Sequence, residues 1–524
     1  MIELSSHVLG RWLPPVSGGA EIRSAVTGEP VARVASEPMA MADVLAYARK
    51  TGGPALRKAT FRERAEQLKK LAEYLNAHKE QLYELSRHAG ATKMDAMLDV
   101  DGGIGVLFVY ASKGRRELPA SNLLLDGDVE PLTKSGNFIG RHVRTPLQGA
   151  AVHINAFNFP CWGLLEKFAP AFLAGVPVIT KPATVTAYVA ERLVRLVEAS
   201  GVLPPGALQT VIGSTGDLFD HLTGQDVVSF TGSAETAQIL QRHPVIAREA
   251  VRFIAERDSV NAALLAPDAA PGTPEFDLFV KEVAREMTVK AGQKCTAIRR
   301  AFVPRGALAA ATEALRARLA KVAVGDPALE NVRMGPLVGL SQRGQVLDLV
   351  GKLRQECELA FGDPQAFEVV GADAKTGAFL PPLLLSCASP ATAKYVHDVE
   401  AFGPVSTLMP YDDLDQAMEL VNRGQGSLVA SVYTYDAAAA ARIVQDIGSF
   451  HGRLLFIDRD CGAEQTGHGS PMPHLLHGGP GRAGGGEELG GLRGMMHYLQ
   501  RTALQGSAAR IASITGEPLA VPAS

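Results

Sequence analysis

From about residue 149 the chain changes rhythm, and that change does most to limit what it can fold into. Short, near-continuous apolar runs at 149–154, 176–180, 208–212, 227–230 and 251–255 alternate with helical stretches such as 187–199. A strand apolar on both sides must be covered on both faces, and a helix between consecutive strands provides the crossover that makes them parallel. The expectation is an α/β protein with a parallel sheet whose ligands lie beyond the carboxyl ends of the strands. A second alternation from about 302 to 458, with a helix at 308–322, a strand at 406–409 and a helix at 414–421, predicts another α/β unit. At 524 residues there is chain enough for both.

Other stretches are less informative. Phe61, Ala65, Leu68, Leu71, Leu75, Leu82 and Leu85 recur at helical spacing over 60–88, opened by a capping box, Thr60-x-x-Glu63. The polar stretch 129–144 predicts a hairpin outside both sheets. The Gly- and His-rich segment 462–494 reads as loop, and the final Ala/Pro/Ser run as a short tail. A net charge of −3 with scattered basic residues gives no sign of a nucleic-acid or membrane partner. Five widely spaced cysteines without a Cys-x-x-Cys pair argue against a disulfide framework or zinc ribbon. With no secretory leader and no membrane span read from the sequence, the cytoplasm is the expected location.

Four motifs carry candidate chemistry. Cys295, in Gly292-Gln293-Lys294-Cys295-Thr296-Ala297, is either a small buried apolar residue or a nucleophile whose pKa a nearby cation and free backbone N–H groups would lower. Glu256 ends an apolar strand, where partial burial would raise its pKa toward that of a general base; an ion pair with Arg257 is the alternative. Thr231-Gly232-Ser233 leads from a strand into a helix whose free N–H groups suit a phosphate, although a plain helix cap reads the same way. Asn158 follows the first strand, placed to donate to an oxyanion or to form a turn before Pro160. Cys161, beside Trp162, reads as packing. Two further patterns are rejected. Gly479-Pro480-Gly481-Arg482-Ala483-Gly484 fits a dinucleotide fingerprint only formally, since it follows no strand and has Pro in the turn. His468, His474 and His477 lack ligand-spaced companions and read as solvated loop histidines, so no metal is expected.

In this order, the motifs resemble the aldehyde dehydrogenase superfamily. The resemblance runs from Gly10-Arg11-Trp12 and Thr27-Gly28-Glu29-Pro30 through Asn158-Phe159-Pro160, Lys181-Pro182-Ala183 and Phe230-Thr231-Gly232-Ser233. It continues through Glu256, Gly292-Gln293-Lys294-Cys295 and Gly335-Pro336-Leu337 to Glu400-Ala401-Phe402-Gly403-Pro404-Val405 and Glu488-Leu489-Gly490. It implies a Rossmann-like cofactor domain (1–125 and 148–255), an α/β catalytic domain (256–475) and oligomerisation elements (126–147 and 490–505), with a homodimer favoured. It also implies residue roles. Cys295 would attack the aldehyde, Asn158 would hold the oxyanion, and Glu256 would activate the hydrolytic water. Lys167 and Glu488 would handle protons, Glu166 joining them or lying on the helix surface. Ala156, Phe157, Lys181, Thr184, Thr231, Gly232, Ser233, Glu400 and Phe402 would line the site of a nicotinamide dinucleotide, with Ser233 at the pyrophosphate.

Three departures from the family pattern sharpen the expectation. Thr184 stands three residues after Lys181, where a ribose-binding Glu is usual; a hydroxyl there would not repel a 2′-phosphate, so NADP is expected over NAD, with NAD still accepted. Arg257-Asp258-Ser259 follows Glu256 in place of Leu-Gly-Gly-Lys, and Ala156-Phe157 replaces Pro-Trp before Asn158. The last two resemble a subgroup that oxidises semialdehydes of CoA thioesters after aromatic ring opening. The alternatives are a general medium-chain aldehyde dehydrogenase, a CoA-acylating one, which Glu256 argues against, and a silent binding protein on the same scaffold.

Overall fold

The computed structural model describes residues 1–13, 18–34 and 39–517; the terminal run read as a tail lies almost wholly outside them. Among the described residues, two seven-stranded sheets and three smaller ones, of four, three and two strands, organise the chain. In the first, Arg252–Glu256, Val227–Thr231, Ala151–Ile154, Val178–Lys181 and Leu208–Thr210 run parallel in that spatial order. Ser6–Val8 and Arg11–Leu13 complete the edge antiparallel. All five expected strands form within two residues of the predicted ends. The helix Ala187–Ala199 matches its expected span.

The second sheet orders Glu358–Phe361, Leu383–Ser386, Val405–Tyr411, Arg300–Pro304, Ala262–Leu265, Ser427–Tyr433 and His451–Ile457. All are parallel except the first pair. Its interior strand Ala262–Leu265, next to the central Arg300–Pro304, is fully buried and does not stand out in the sequence, because a short run of Ala and Leu between Asn261 and Pro267 falls near the lower limit of strand length.

The region 60–88 is not one helix. Phe61–Ala77 and Glu80–Ser86 are separate, divided at His78, whose φ of −120° is outside the helical range. The Thr60/Glu63 capping box is present at the start, with the Glu63 N–H donating to Thr60 Oγ1 at 3.2 Å. The longest helix, Lys93–Glu117, was also unforeseen. Its buried positions include Asp95, Asp99, Gly103 and Gly114 beside Val and Leu, which spreads burial over polar and small residues and blurs the apolar stripe. A Cβ at Gly102 would sit 2.1 Å from the Trp162 ring, so helix and ring meet only because that side chain is missing.

The expected hairpin at 129–144 forms outside both large sheets: the long strand Ile139–Pro146 pairs antiparallel with Glu130–Pro131 just before it, and also with Leu124–Leu125. The principal partner of Ile139–Pro146 is Leu499–Gly506, antiparallel in unbroken register from Leu499↔Pro146 to Gly506↔Ile139. Among the described residues no helix is long and apolar enough to cross a membrane.

Candidate active site

Glu256 is the last residue of its strand and pairs with Thr231, the last of the neighbouring one. Both therefore emerge at the carboxyl edge of the parallel sheet. Behind them the Gly479–Gly484 segment forms a 3-10 turn at Gly481–Ala483 with no helix following. The Arg257 N–H donates to Ala483 O at 3.0 Å, and a Cβ on Gly484 would meet Ala255 O at 2.1 Å. The formal fingerprint is thus a brace for the strand that carries Glu256.

Cys295 approaches from the other sheet on a tightly held loop. Lys290, Ala291 and Gly292 all have positive φ (53°, 51° and 66°), and a Cβ on Gly292 would lie 2.1 Å from Gly403 O. Asn261 donates to Cys295 O at 2.7 Å and to Ala297 O at 3.1 Å, while Arg299 donates to Gly292 O and Lys294 O. The result places Cys295 Sγ, a Glu256 carboxylate oxygen and a ring nitrogen of His477 within 4.8 Å of one another.

The expected electrostatics at Cys295 and Glu256 are reversed. Lys294 does not serve the thiol: its Nζ is buried against Glu286 at 2.6 Å. Burial, and then the Glu256 carboxylate, push the Cys295 thiol well above its ordinary value. Burial alone would raise Glu256, but the His477 imidazolium at 2.9 Å and the Lys167 ammonium hold it well below the usual carboxylate range. Arg257 is not its partner, since that guanidinium donates to Gly481 O. In this pair the thiol is therefore the protonated member and Glu256 the ionised one.

His477 corrects the sequence reading. It is buried and faces Glu256, and it is no solvated loop residue; His468 is buried too, bonded to Ser431, and only His474 is exposed. No signal near position 477 foretold this, because its partners come from remote segments.

Behind His477 lies a buried charge cluster. The helix Trp162–Ala174 is buried on all sides from Leu164 onward, so Glu166 and Lys167 face the interior and the helix-surface placement of Glu166 does not hold. Lys167 Nζ lies 3.1 Å from Glu488 and 3.6 Å from Glu166. Ser229 and Thr231, two apart on one strand and so on one face, donate to Glu488 at 3.3 and 2.9 Å. Burial pushes Glu166 up to about 7 against the pull of Lys167.

Two cavities meet at Cys295. One, of about 520 Å³, is lined by Leu98, Asn158, Phe159, Trp162, Glu166, Lys167, Pro471 and His477. The other is a broad cleft of about 1640 Å³, partly open to solvent, lined by Ala156, Phe157, Asn158, Lys181, Thr231, Gly232, Ser233, Glu256, Glu400, Phe402 and Arg482. Asn158 lines both. Thr184 does not line the cleft; it is exposed on the turn Thr184–Thr186, just past Lys181-Pro182-Ala183.

The cleft suits a dinucleotide. Glu400 Oε1 is buried without a hydrogen-bond partner among the described residues, as an acceptor awaiting a hydroxyl would be. Burial pushes its carboxyl up to about 8 in spite of Arg299. Phe402 stands edge-on to Phe157 at 5.8 Å, closing one wall. The helix Ala234–Gln241 opens on the cleft, but Ser233 caps its own helix by accepting from Thr236 N at 3.2 Å, and Asp258 accepts from Ala234 N at 2.8 Å. The Ser233 hydroxyl is thus engaged as a cap, and a pyrophosphate would compete with Asp258 for that helix end.

A strand-end carboxylate and a loop cysteine facing each other where two cavities join, with a cleft on one side shaped for a dinucleotide, match what the family comparison finds. The chain belongs to the aldehyde dehydrogenase family, whose model matches residues 12–503, and it is an oxidoreductase acting on aldehydes. It is 50% identical over 480 residues to the 3,4-dehydroadipyl-CoA semialdehyde dehydrogenase of Aromatoleum evansii, covering 91% of this chain and 93% of that one. The fold matches the betaine aldehyde dehydrogenase of Staphylococcus aureus in complex with NAD+ (TM-score 0.82, 21% identity, 97% and 95% of the two chains). It also matches the gamma-glutamyl-gamma-aminobutyraldehyde dehydrogenase of Burkholderia cenocepacia (TM-score 0.83, 24% identity, 97% of each).

Proposed function

We propose that this enzyme oxidises a CoA-linked semialdehyde of the 3,4-dehydroadipyl-CoA type to the free acid, with NADP preferred over NAD. The observation that carries the mechanism is the approach of Cys295 Sγ and the Glu256 carboxylate within 4.8 Å at the junction of the two cavities. The substrate class rests on the Aromatoleum evansii relative, and the NADP preference on Thr184 in place of a carboxylate.

Cys295 gives up its proton to solvent in the cavity as the sulfur adds to the aldehyde carbon, and the carbonyl π electrons move onto oxygen, so that Glu256 is still unprotonated for the second half of the reaction. Asn158, lining both cavities, donates to that oxygen. A nicotinamide dinucleotide, when bound, would accept the hydride that leaves the aldehyde carbon; Lys181, Glu400 and Phe402 would hold it, with Gly232 and Ser233 facing its phosphate end. The oxygen electrons then re-form the carbonyl and leave a thioester on Cys295. Glu256 next removes a proton from water as its oxygen attacks the thioester, and the Cys295 sulfur leaves. Lys167 and Glu488 settle the charge left behind. Subunits pair through Ile139–Pro146 and Leu499–Gly506 into a homodimer.

The test is a steady-state screen pairing NADP and NAD with aldehydes of increasing length and with the CoA-linked semialdehyde, without added CoA. The reading requires free acid and reduced cofactor, with the highest kcat/KM for the CoA-linked substrate and NADP. A product formed only when CoA is supplied would establish acyl transfer instead. Equal kcat/KM for plain C4–C10 aldehydes would leave a general aldehyde dehydrogenase.

A further inference from the structure

His477 occupies an unusual position for a residue on a two-residue strand. The pairing His477↔Leu489 sets it beside Glu488, and its ring reaches across to the end of the Arg252–Glu256 strand. One ring nitrogen, Nε2, lies 2.9 Å from Glu256 Oε2. A ring nitrogen of His477 and carboxylate oxygens of Glu166 and Glu488 also lie within 4.8 Å of one another, a span that one water can bridge. The imidazole thus stands between the carboxylate nearest the reacting sulfur and the two carboxylates nearest Lys167.

The groups facing it come from each neighbouring element: Glu256 from its strand, Glu166 and Lys167 from the helix Trp162–Ala174, Glu488 from the strand Glu487–Leu489, and the Cys295 thiol from its loop. These carboxylates outweigh burial and raise His477 to about 9, so the ring is an imidazolium at neutral pH. An imidazolium carries a proton on each nitrogen and accepts on neither, so it can receive a proton only once it has given one up.

We propose that His477 is a positioning residue for the hydrolytic half of the reaction: its cation keeps Glu256 ionised, and its ring is the bridge by which a proton taken from water leaves Glu256. The proposal rests on the reading of Glu256 as the base that activates water. The transfer balances without any co-reactant. Water loses a proton to Glu256 as its oxygen bonds to the thioester carbon. The imidazolium gives the proton of Nε2, the nitrogen facing Glu256, to Glu166 or Glu488 through a water, and that carboxyl releases it to solvent through the cavity that Glu166 lines. Glu256 then passes its proton to the vacated nitrogen, restoring carboxylate and imidazolium for the next turnover. Without the ring, Glu256 would be a buried carboxylate next to two others, and holding its proton would relieve the repulsion.

The experiment compares full-length wild type with His477→Gln by rapid mixing with hexanal and NADP, and by kcat across pH 5.5–9. The glutamine keeps a hydrogen-bonding group but removes the charge and the relay. The expected result is a first-turnover burst of about one equivalent of reduced cofactor per site, steady turnover lowered by about tenfold or more, and an acidic limb of kcat that enters the pH 5.5–9 range only in the variant, where Glu256 has lost the cation that held it well below that range. Unchanged turnover with an unmoved limb would overturn the proposal. So would burst and turnover falling together with the limb in place, the signature of a merely structural role. Should His477→Gln fail to fold, His477→Asn is judged by the same three readouts. Wild type that reduces neither NADP nor NAD with any aldehyde would strike the parent reading, whereas a defect confined to the variant's second half-reaction bears on His477 alone.

Discussion

Replacing Lys167 with methionine perturbs the most heavily charged interior of the molecule at nearly constant volume. Around it lie the carboxylates of Glu166, Glu256 and Glu488, balanced by the Lys167 ammonium and the His477 imidazolium, which leaves one surplus negative charge. Glu166 meets that surplus by titrating at about 7. Its folded value lies above the unfolded one, near 4.3, so between the two the folded chain binds more protons and stability falls as pH rises. Without Lys167 the surplus becomes two, and the folded cluster must retain a further proton to above pH 7. Breaking a buried pair costs about 3–5 kcal/mol where the carboxylates remain charged, and proton uptake relieves the cost at about 1.4 kcal/mol per pH unit. The deficit of Lys167→Met relative to wild type should be small near pH 6 and grow to about 3 kcal/mol near pH 8. Urea-unfolding midpoints of both proteins at several pH values measure it. A deficit that is independent of pH, or that shrinks as pH rises, would refute this account of the cluster.

Two other outcomes follow from the site. Asn158→Ala should lower kcat by about 10²–10³ while leaving cofactor affinity nearly unchanged, because the amide acts only on the developing oxyanion; fluorescence titration with NADPH separates the two effects. Thr184→Glu should move the kcat/KM ratio toward NAD by about tenfold or more, since a carboxylate beside Lys181 would repel a 2′-phosphate, and an unmoved ratio would mean that selectivity lies elsewhere in the cleft.

The parallel sheets are legible because a strand buried on both faces is written largely in apolar residues, as 151–154 and 227–231 are, apart from His153, Ser229 and Thr231. The helix Lys93–Glu117 is not, because Asp95, Asp99 and the glycines are buried for contacts made with distant segments, such as Asp95 accepting from Lys290 N at 2.8 Å. Cys295, Glu256 and Asn158 stand out because their backbone settings are local: a strand end, a turn, a Gly-rich loop. Their protonation states are not local. Lys294 adjoins Cys295 in sequence yet points to Glu286, while the cation that governs Glu256 comes from a Gly- and Pro-rich segment near the far end of the chain. Sequence adjacency misassigned both charges, and the expected directions of both pKa shifts were reversed as a result.

Rapid mixing of Glu256→Gln with aldehyde and NADP tests the central claim most directly. Glutamine cannot take a proton from water, so the account predicts about one equivalent of reduced cofactor per site followed by a stall, with the acyl group recoverable on Cys295 as a thioester. Steady turnover at the wild-type rate would contradict it.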